Sequence, residues 1–455
     1  MDVEADAQPD GPTWVARVES DSAARWTMWV AWPVGVLILV VIGRNQWFAR
    51  DDWAFLFTRG RLHQTAGLDA MLMEPQDGHW MMWPILVFRG LYNLVGTRSY
   101  WPYLLVLWAT HVGAVVLAHL WMRRFGVTAW ISTLMTILLL VFGAGWENLM
   151  FAVQIVYNFS LLAFLGQLLL VDHDGPLDRR DGFGVVISLI GVSSSGFGPF
   201  FGFGVGLLLV LRRRWLAAVV AVVPQALVWI WWWLAWGADP AADRGSASVR
   251  FVVDWTEHGL WSVFGSLTAT GLLAWPAVVL CIAMALWPGT GSYRRAPIIA
   301  MLATVLVMYI GIGTRREVFG VFASAWPRYQ YMAAMIAAPV LAYGLDQIRR
   351  FASWARWIPR VVLLLAIVRN VVWMHDGADS WGTASRADRR LFSLVAGSDQ
   401  RLQARPDRSM SEFSPDVLVI DLDTLVDDGA IERVPPATPD ERDAVANALG
   451  LSPPP

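Results

Sequence analysis

The sequence predicts an all-α, polytopic membrane protein, and three observations carry that expectation. Hydrophobic residues make up 56% of the 455 and charged residues only 16%, both displaced from the soluble average in the membrane direction. The apolar residues gather in runs of roughly 20, the length a helix needs to cross a bilayer core. Trp occurs 28 times, and Trp favours the headgroup level.

Eleven spans are read, at 26–44, 101–121, 127–144, 152–171, 183–195, 197–211, 215–236, 266–287, 297–313, 331–346 and 358–374. The pair between 183 and 211 is short and meets in the glycine-rich SSSGFGPFFGFGVG. Such a junction suits a broken helix or a re-entrant turn lining a cavity. Basic loops then alternate. Arg123–Arg124, DHDGPLDRRDG, Arg212–Arg214, Arg294–Arg295 and IRRFASWARWIPR fall on one side, which the positive-inside rule makes cytoplasmic. The N-terminus is expected on that side too. Residues 45–100, GWEN (145–148), 237–265, 314–330 and the C-terminal tail are expected outside. Within 45–100, HWMMWPILVFRGLYNLVG is apolar but interrupted by Arg89 and Asn93, and reads as a helix lying along the outer surface or dipping into it. The tail reads as a small cap or loosely held extension with a strand at VLVIDLD and a terminal helix at ERDAVANALG. PPATP and LSPPP resist regular structure. The organisation expected is a cytoplasmic segment 1–25, a transmembrane catalytic domain 26–375 and an extracytoplasmic tail 376–455.

Composition also excludes. A net charge near zero suggests no nucleic-acid partner. The single cysteine, Cys281, rules out an intrachain disulfide and a thiolate cluster. The first 25 residues are polar and mixed in charge, unlike a typical cleavable signal peptide. GFGVG at 202–206 follows no strand and is not a nucleotide fingerprint.

Two acidic patches stand out against this background. RDDWAFLF places Asp51 and Asp52 just past the first span, and EPQDGHW places Asp77 and His79 later in the same outer loop. A carboxylate near low dielectric has a raised pKa unless paired, which suits a general base or a group orienting a hydroxyl. A solvated loop edge is the plain alternative. Adjacent residues cannot both face one cavity; the WAFLF anchor leans towards Asp52, and Asp51 stays open. GWENLMFAVQ adds Glu147 and Asn148, with Gln154 on the Glu147 face. The 314–330 loop carries Arg315, Arg316, Arg328, Tyr329 and Gln330. Arginines outside run against the positive-inside trend, and an anionic ligand supplies a reason. Asp254, Glu257 and His258 read as solvent-facing, and the run at Asp172, His173, Asp174 and Asp178 as a polar turn in preference to a metal cluster.

This layout resembles the polyprenyl-phosphate-dependent integral-membrane glycosyltransferases of the GT-C superfamily. The residues that carry the resemblance are RDDWAFL, DGHW, GWEN with FAVQ, and WPRYQY, within about 45–375. The resemblance implies a GT-C-like fold, no cofactor and an outer-loop acid at Asp51 or Asp52 serving as base. It implies an acid-and-histidine stretch at Asp77 and His79, and a lipid-phosphate contact at Arg328. Implied partners are a polyprenyl-phosphate sugar, membrane lipids and a glycolipid, cell-wall glycan or protein acceptor, met on the outer face of the plasma membrane. Unlike larger actinobacterial arabinosyltransferases, the chain shows no large C-terminal carbohydrate-binding domain. Competing readings are a lipid-linked-sugar transporter or flippase, a multi-pass acyltransferase using His111 or His119, and an assembly subunit.

Overall fold

The computed structural model describes residues 21–237, 247–348 and 354–451. Most of the expected N-terminal segment, part of the 237–265 loop, part of IRRFASWARWIPR and all but the first residue of LSPPP lie outside the described residues.

The chain is helical throughout. In order come α1 Asp21–Gly43, α2 Asp51–Trp53, a π-helical turn Ala54–Thr58, α3 Arg59–Met73, α4 Met82–Val95, α5 Trp101–Phe125, α6 Ala129–Leu140, α7 Glu147–Met150 and α8 Ile155–Val171. There follow α9 Arg179–Val192, α10 Gly198–Leu211, α11 Trp215–Trp236, α12 Val249–Leu267, α13 Ala274–Leu286, α14 Gly291–Gly313 and α15 Pro327–Ile348. The last are α16 Trp357–Ala396, α17 Leu422–Asp427 and α18 Pro439–Leu449. Each of the eleven expected spans falls on a helix. Seven are long and apolar enough to cross a membrane alone, and the pair α12 and α13, bent by 113°, forms a broken span or a re-entrant loop. The expected 127–144, 183–195 and 197–211 fall on shorter helices. The 14 residues of α9 and of α10 reach only about 21 Å each at 1.5 Å per residue, so the glycine-rich junction is the turn of a short hairpin.

Local chemistry sets the ends. Pro102 sits in the first turn of α5, and Gly126 closes that helix at φ 79°. Asp178 and Asp181 form a capping box on α9, as Thr438 and Glu441 do on α18. On α1, Val30, Val34, Leu37 and Val41 remain exposed, a stripe at three- and four-residue spacing suited to lipid. The centre of the bundle is α15. Its MAAMIAAPVLA run is buried on every side, because small side chains let α5, α6, α12 and α14 approach closely.

Three expectations need correction. The 237–265 loop is not a loop in its described part: α12 starts at Val249. Arg250, Asp254 and Glu257 had broken the apolar run, yet they share one exposed helix face. The strand expected at VLVIDLD is a 3₁₀ turn, Val419–Asp421, entering α17. The Asp421 carboxylate accepts the Leu418 N–H at 2.9 Å, an N-terminal cap that commits the segment to helix. Finally, the last span does not stop near 374. Helix α16 runs 40 residues to Ala396, about 60 Å, twice a bilayer core.

The two ends of the bundle differ. At one end Asp172 binds both Arg124 and Arg212, at 2.7 and 2.5 Å, and Arg214 meets Asp181 at 3.0 Å. Three of the five basic loops expected on one side are thus gathered together. At the other end the first outer loop, GWEN, the start of α15 and the tail converge.

Candidate active site

Asp52 is the keystone of that second end. It is fully buried. Its Oδ2 accepts the Tyr100 hydroxyl at 2.8 Å and the Ala49 N–H at 3.2 Å, and its Oδ1 accepts the Val153 N–H at 3.0 Å. Tyr100 Oη in turn accepts the Ala152 N–H at 2.7 Å. One side chain thus ties the loop after α1 to the starts of α5 and α8. Burial pushes its carboxyl up to about 8 against those hydrogen bonds.

With Asp52 turned inward, its neighbour Asp51 faces a narrow cleft of about 60 Å³. Asp77, His79, Gln154, Tyr157, Arg316 and Arg328 line the same cleft, with Phe55, Gln76, Met81, Val153 and Val156. The lean towards Asp52 is therefore reversed by geometry. Nothing in the WAFLF anchor could say which of the pair would meet the donors on Tyr100 and Val153.

Asp77 and His79 reach the cleft on a tight hairpin. Gln76 and His79 exchange backbone hydrogen bonds at 3.0 and 2.9 Å, and Asp77 and Gly78 both have positive φ, 51° and 77°. That is the Asp-Gly type I′ pattern. Buried Arg59 holds the hairpin from below, donating to the Pro75 carbonyl at 3.0 Å and Gln76 Oε1 at 3.3 Å. Trp80 points away, stacked on Trp232 with centroids 5.5 Å apart. The α9–α10 turn closes over the histidine: a Cβ on Gly196 would lie 2.3 Å from His79 Nδ1.

The opposite wall is basic. Arg328, in the first turn of α15, places Nε 3.0 Å from Glu147 Oε2, but off the line of a good hydrogen bond. Tyr157 also bonds Arg328. Burial raises the Glu147 carboxyl, and Arg328 pulls it back. Gln154 Nε2 reaches Glu147 at 3.4 Å, while its Oε1 is buried with no protein partner. Asp51 is itself raised to about 6, first by burial, then by Asp77, with Arg328 opposing.

Four expected residues lie elsewhere. Asn148 is internal, bonded to Asn158 at 3.2 Å. Tyr329 packs between Trp255 and Trp326. Gln330 bonds Ser266 at 2.7 Å and lines a separate pocket with Arg369 and Trp373. Arg315 is exposed and outside the lining. Tyr157 was missed; its signal was its place one turn below Gln154. The His/Asp group close enough to share a metal, among the described residues, is His173, Asp178 and Asp181 at the far end. Arg180 and Arg214 already pair with its carboxylates. His111 spends both ring nitrogens on Tyr331 and the Leu140 carbonyl, and His119 meets Thr136; neither lines the cleft. His258 meets Ser324 at 2.8 Å.

An acid wall facing a basic wall at the ends of membrane helices can take a proton on one side and hold an anion on the other. No family model and no curated protein matches the sequence. The solved structure of ArnT from Cupriavidus metallidurans bound to undecaprenyl phosphate is similar in fold, with a TM-score of 0.54 over 93% of this chain and 88% of that one, at 12% identity. The fold is thus an all-α, multi-pass membrane architecture, as expected from the sequence, and it is similar to that of the ArnT structure.

Proposed function

We propose that the protein is a glycosyltransferase that moves a sugar from a polyprenyl-phosphate donor to an acceptor hydroxyl at the extracytoplasmic face of the plasma membrane. The observation that carries the reading is the two-walled cleft: Asp51 on one side, Arg316 and Arg328 on the other. It stands on a fold similar to that of a protein solved with undecaprenyl phosphate. The opposite end gathers the arginines of the short loops, which supports the outer placement of the cleft.

The donor's phosphate lies at the membrane surface, and the sugar must meet the acceptor at the same depth. Arg328 and Arg316 hold the phosphate and stabilise it as the bond from the anomeric carbon to the phosphate oxygen breaks. The acceptor oxygen forms the new glycosidic bond, and its proton passes to Asp51. Direct displacement inverts the anomeric carbon. Gln154 lines the sugar's side of the cleft, and Asp77 and His79 shape the acceptor side. The acceptor is a glycolipid, cell-wall glycan or protein.

The test is sugar transfer from a synthetic polyprenyl-phosphate sugar by the protein in nanodiscs, with donor binding measured in parallel. Asp51→Asn should bind donor and lose turnover by about two to four orders of magnitude. Wild-type turnover in that variant would sink the assignment of Asp51 as base.

A further inference from the structure

The C-terminal segment is no loose extension. Between residues 413 and 428 it grips the first outer loop at five points. Ser414 Oγ accepts the Arg50 N–H at 3.4 Å. The Arg50 guanidinium lies 5.1 Å over Phe413 and 5.4 Å over Trp381. Asp416 Oδ1 accepts the Thr58 hydroxyl at 2.7 Å. Arg61 reaches both oxygens of Asp421 at 2.8 Å and the Asp416 carbonyl at 3.1 Å. Asp428 accepts from Thr97 through both N–H and hydroxyl, at 3.1 and 2.9 Å.

Two of these contacts bracket Asp51. Arg50, immediately before it, holds φ 46°, a conformation that a non-glycine residue keeps only when its surroundings impose it. Thr58 ends the π turn, a wider and less stable ring than the α-helix, used where a side chain must be re-aimed. Both flanks are thus pinned by the same short stretch, Phe413 to Asp416. That stretch also brings a third carboxylate into the field of Asp51 and Asp77, with Arg50 and Arg328 as the opposing charges. Asp416 also feels Asp77, Arg59 and Arg61.

We infer that the C-terminal segment is part of the catalytic unit, and that Asp416 is a positioning residue that fixes and electrostatically tunes Asp51. This rests on the reading of Asp51 as the base. Asp416 acts through Thr58 and through space, not by touching the sugar. The tail therefore belongs with the catalytic end of the fold, and the 60-odd residues after α16 are not dispensable.

The experiment uses the full chain in nanodiscs. Asp416→Asn should lower kcat about tenfold with donor KM unchanged, since a small misplacement of a reacting group is costly. The acid limb of its kcat/KM profile should move down by about half a pH unit, as one nearby negative charge is lost. Asp416→Glu should restore the limb. A second measurement needs no substrate: Asp421→Asn, which opens the Arg61 clasp away from Asp51, should speed amide exchange across residues 50–61. If wild type transfers sugar and Asp51→Asn abolishes transfer, yet Asp416→Asn keeps the wild-type kcat and pH profile, the tail's role falls while the function stands. If wild type transfers no sugar from any polyprenyl-phosphate donor, the functional reading falls, and exchange at 50–61 unchanged in Asp421→Asn overturns the clasp as well.

Discussion

Replacing Asp52 and replacing Asp51 should give opposite phenotypes, though the two are neighbours in sequence. Asp52 accepts three hydrogen bonds in a site closed to water. Alanine leaves the Ala49 and Val153 N–H groups and the Tyr100 hydroxyl without that acceptor. Each stranded buried donor costs about 1–3 kcal/mol, so Asp52→Ala should cost about 3–9 kcal/mol in all. Asparagine has the shape of the neutral acid that burial favours here, and it keeps one oxygen for Val153. Its amide conflicts with one of the other two donors, so Asp52→Asn should cost only about 1–2 kcal/mol. Asp51 lines the cleft and makes no such contacts, so Asp51→Asn should leave stability unchanged and remove turnover. The assay is thermal unfolding in detergent beside single-turnover transfer in nanodiscs. The expected order of apparent Tm is Asp51→Asn equal to wild type, then Asp52→Asn, then Asp52→Ala lower by several degrees. If Asp52→Asn unfolds like wild type, binds donor and fails to turn over, while Asp51→Asn turns over, then the inward residue is the base and the reasoning from burial is wrong.

Three further expectations follow from the same geometry. With Asp51 raised to about 6 and needed ionised, kcat/KM should fall about tenfold per unit below pH 6. The folded state holds this proton more tightly than the unfolded chain, so the group favours folding as pH falls; Tm measured at pH 5 should not drop on its account. Arg328→Gln strands buried Glu147 and should cost about 3–5 kcal/mol; adding Glu147→Gln should restore Tm but leave donor use impaired by about 2–4 kcal/mol, read as kcat/KM in the double variant. Gly143→Ala should prevent normal folding, since its Cβ would lie 1.8 Å from the Asn370 carbonyl and 2.4 Å from the Met374 nitrogen, backbone atoms of α16 that cannot step aside; expression and Tm in detergent check it.

The grouping by end of the bundle was legible, and that brought most of the cleft with it. Asp51, Asp77, His79, Gln154, Arg316 and Arg328 were grouped because the alternating loops put all of them on one expected side, and all six line one cavity. Hydropathy assigns a residue to an end of the bundle and says little about its azimuth. So Asn148, Tyr329 and Gln330 were placed at the right end yet face other neighbours. Azimuth could be read only where a local motif fixed it, as the Asp-Gly hairpin does for His79. The choice between Asp51 and Asp52 depended on Tyr100 and Val153, 48 and 101 residues away, and no local pattern reports such partners.

The same limit explains the tail. Past residue 374, Asp376, Asp379 and Arg386 end the hydropathy signal, but helix formation does not depend on hydropathy, and α16 continues. Its continuation is amphipathic in a way a membrane window cannot register. Ala378, Trp381, Ser385 and Asp388 are buried against the loop and tail, spaced three or four apart, while Asp376, Asp379 and Arg386 face solvent. Ser411 then binds Asp388 at 2.8 Å, and the chain is led back to Ser414 and Asp416, beside the catalytic loop. The charges that seemed to mark the end of the membrane domain are the solvent face of the strut that carries the tail to the site. A helix that outruns the bilayer by half its length must pack its buried face on something, and here it packs on the loop that bears Asp51.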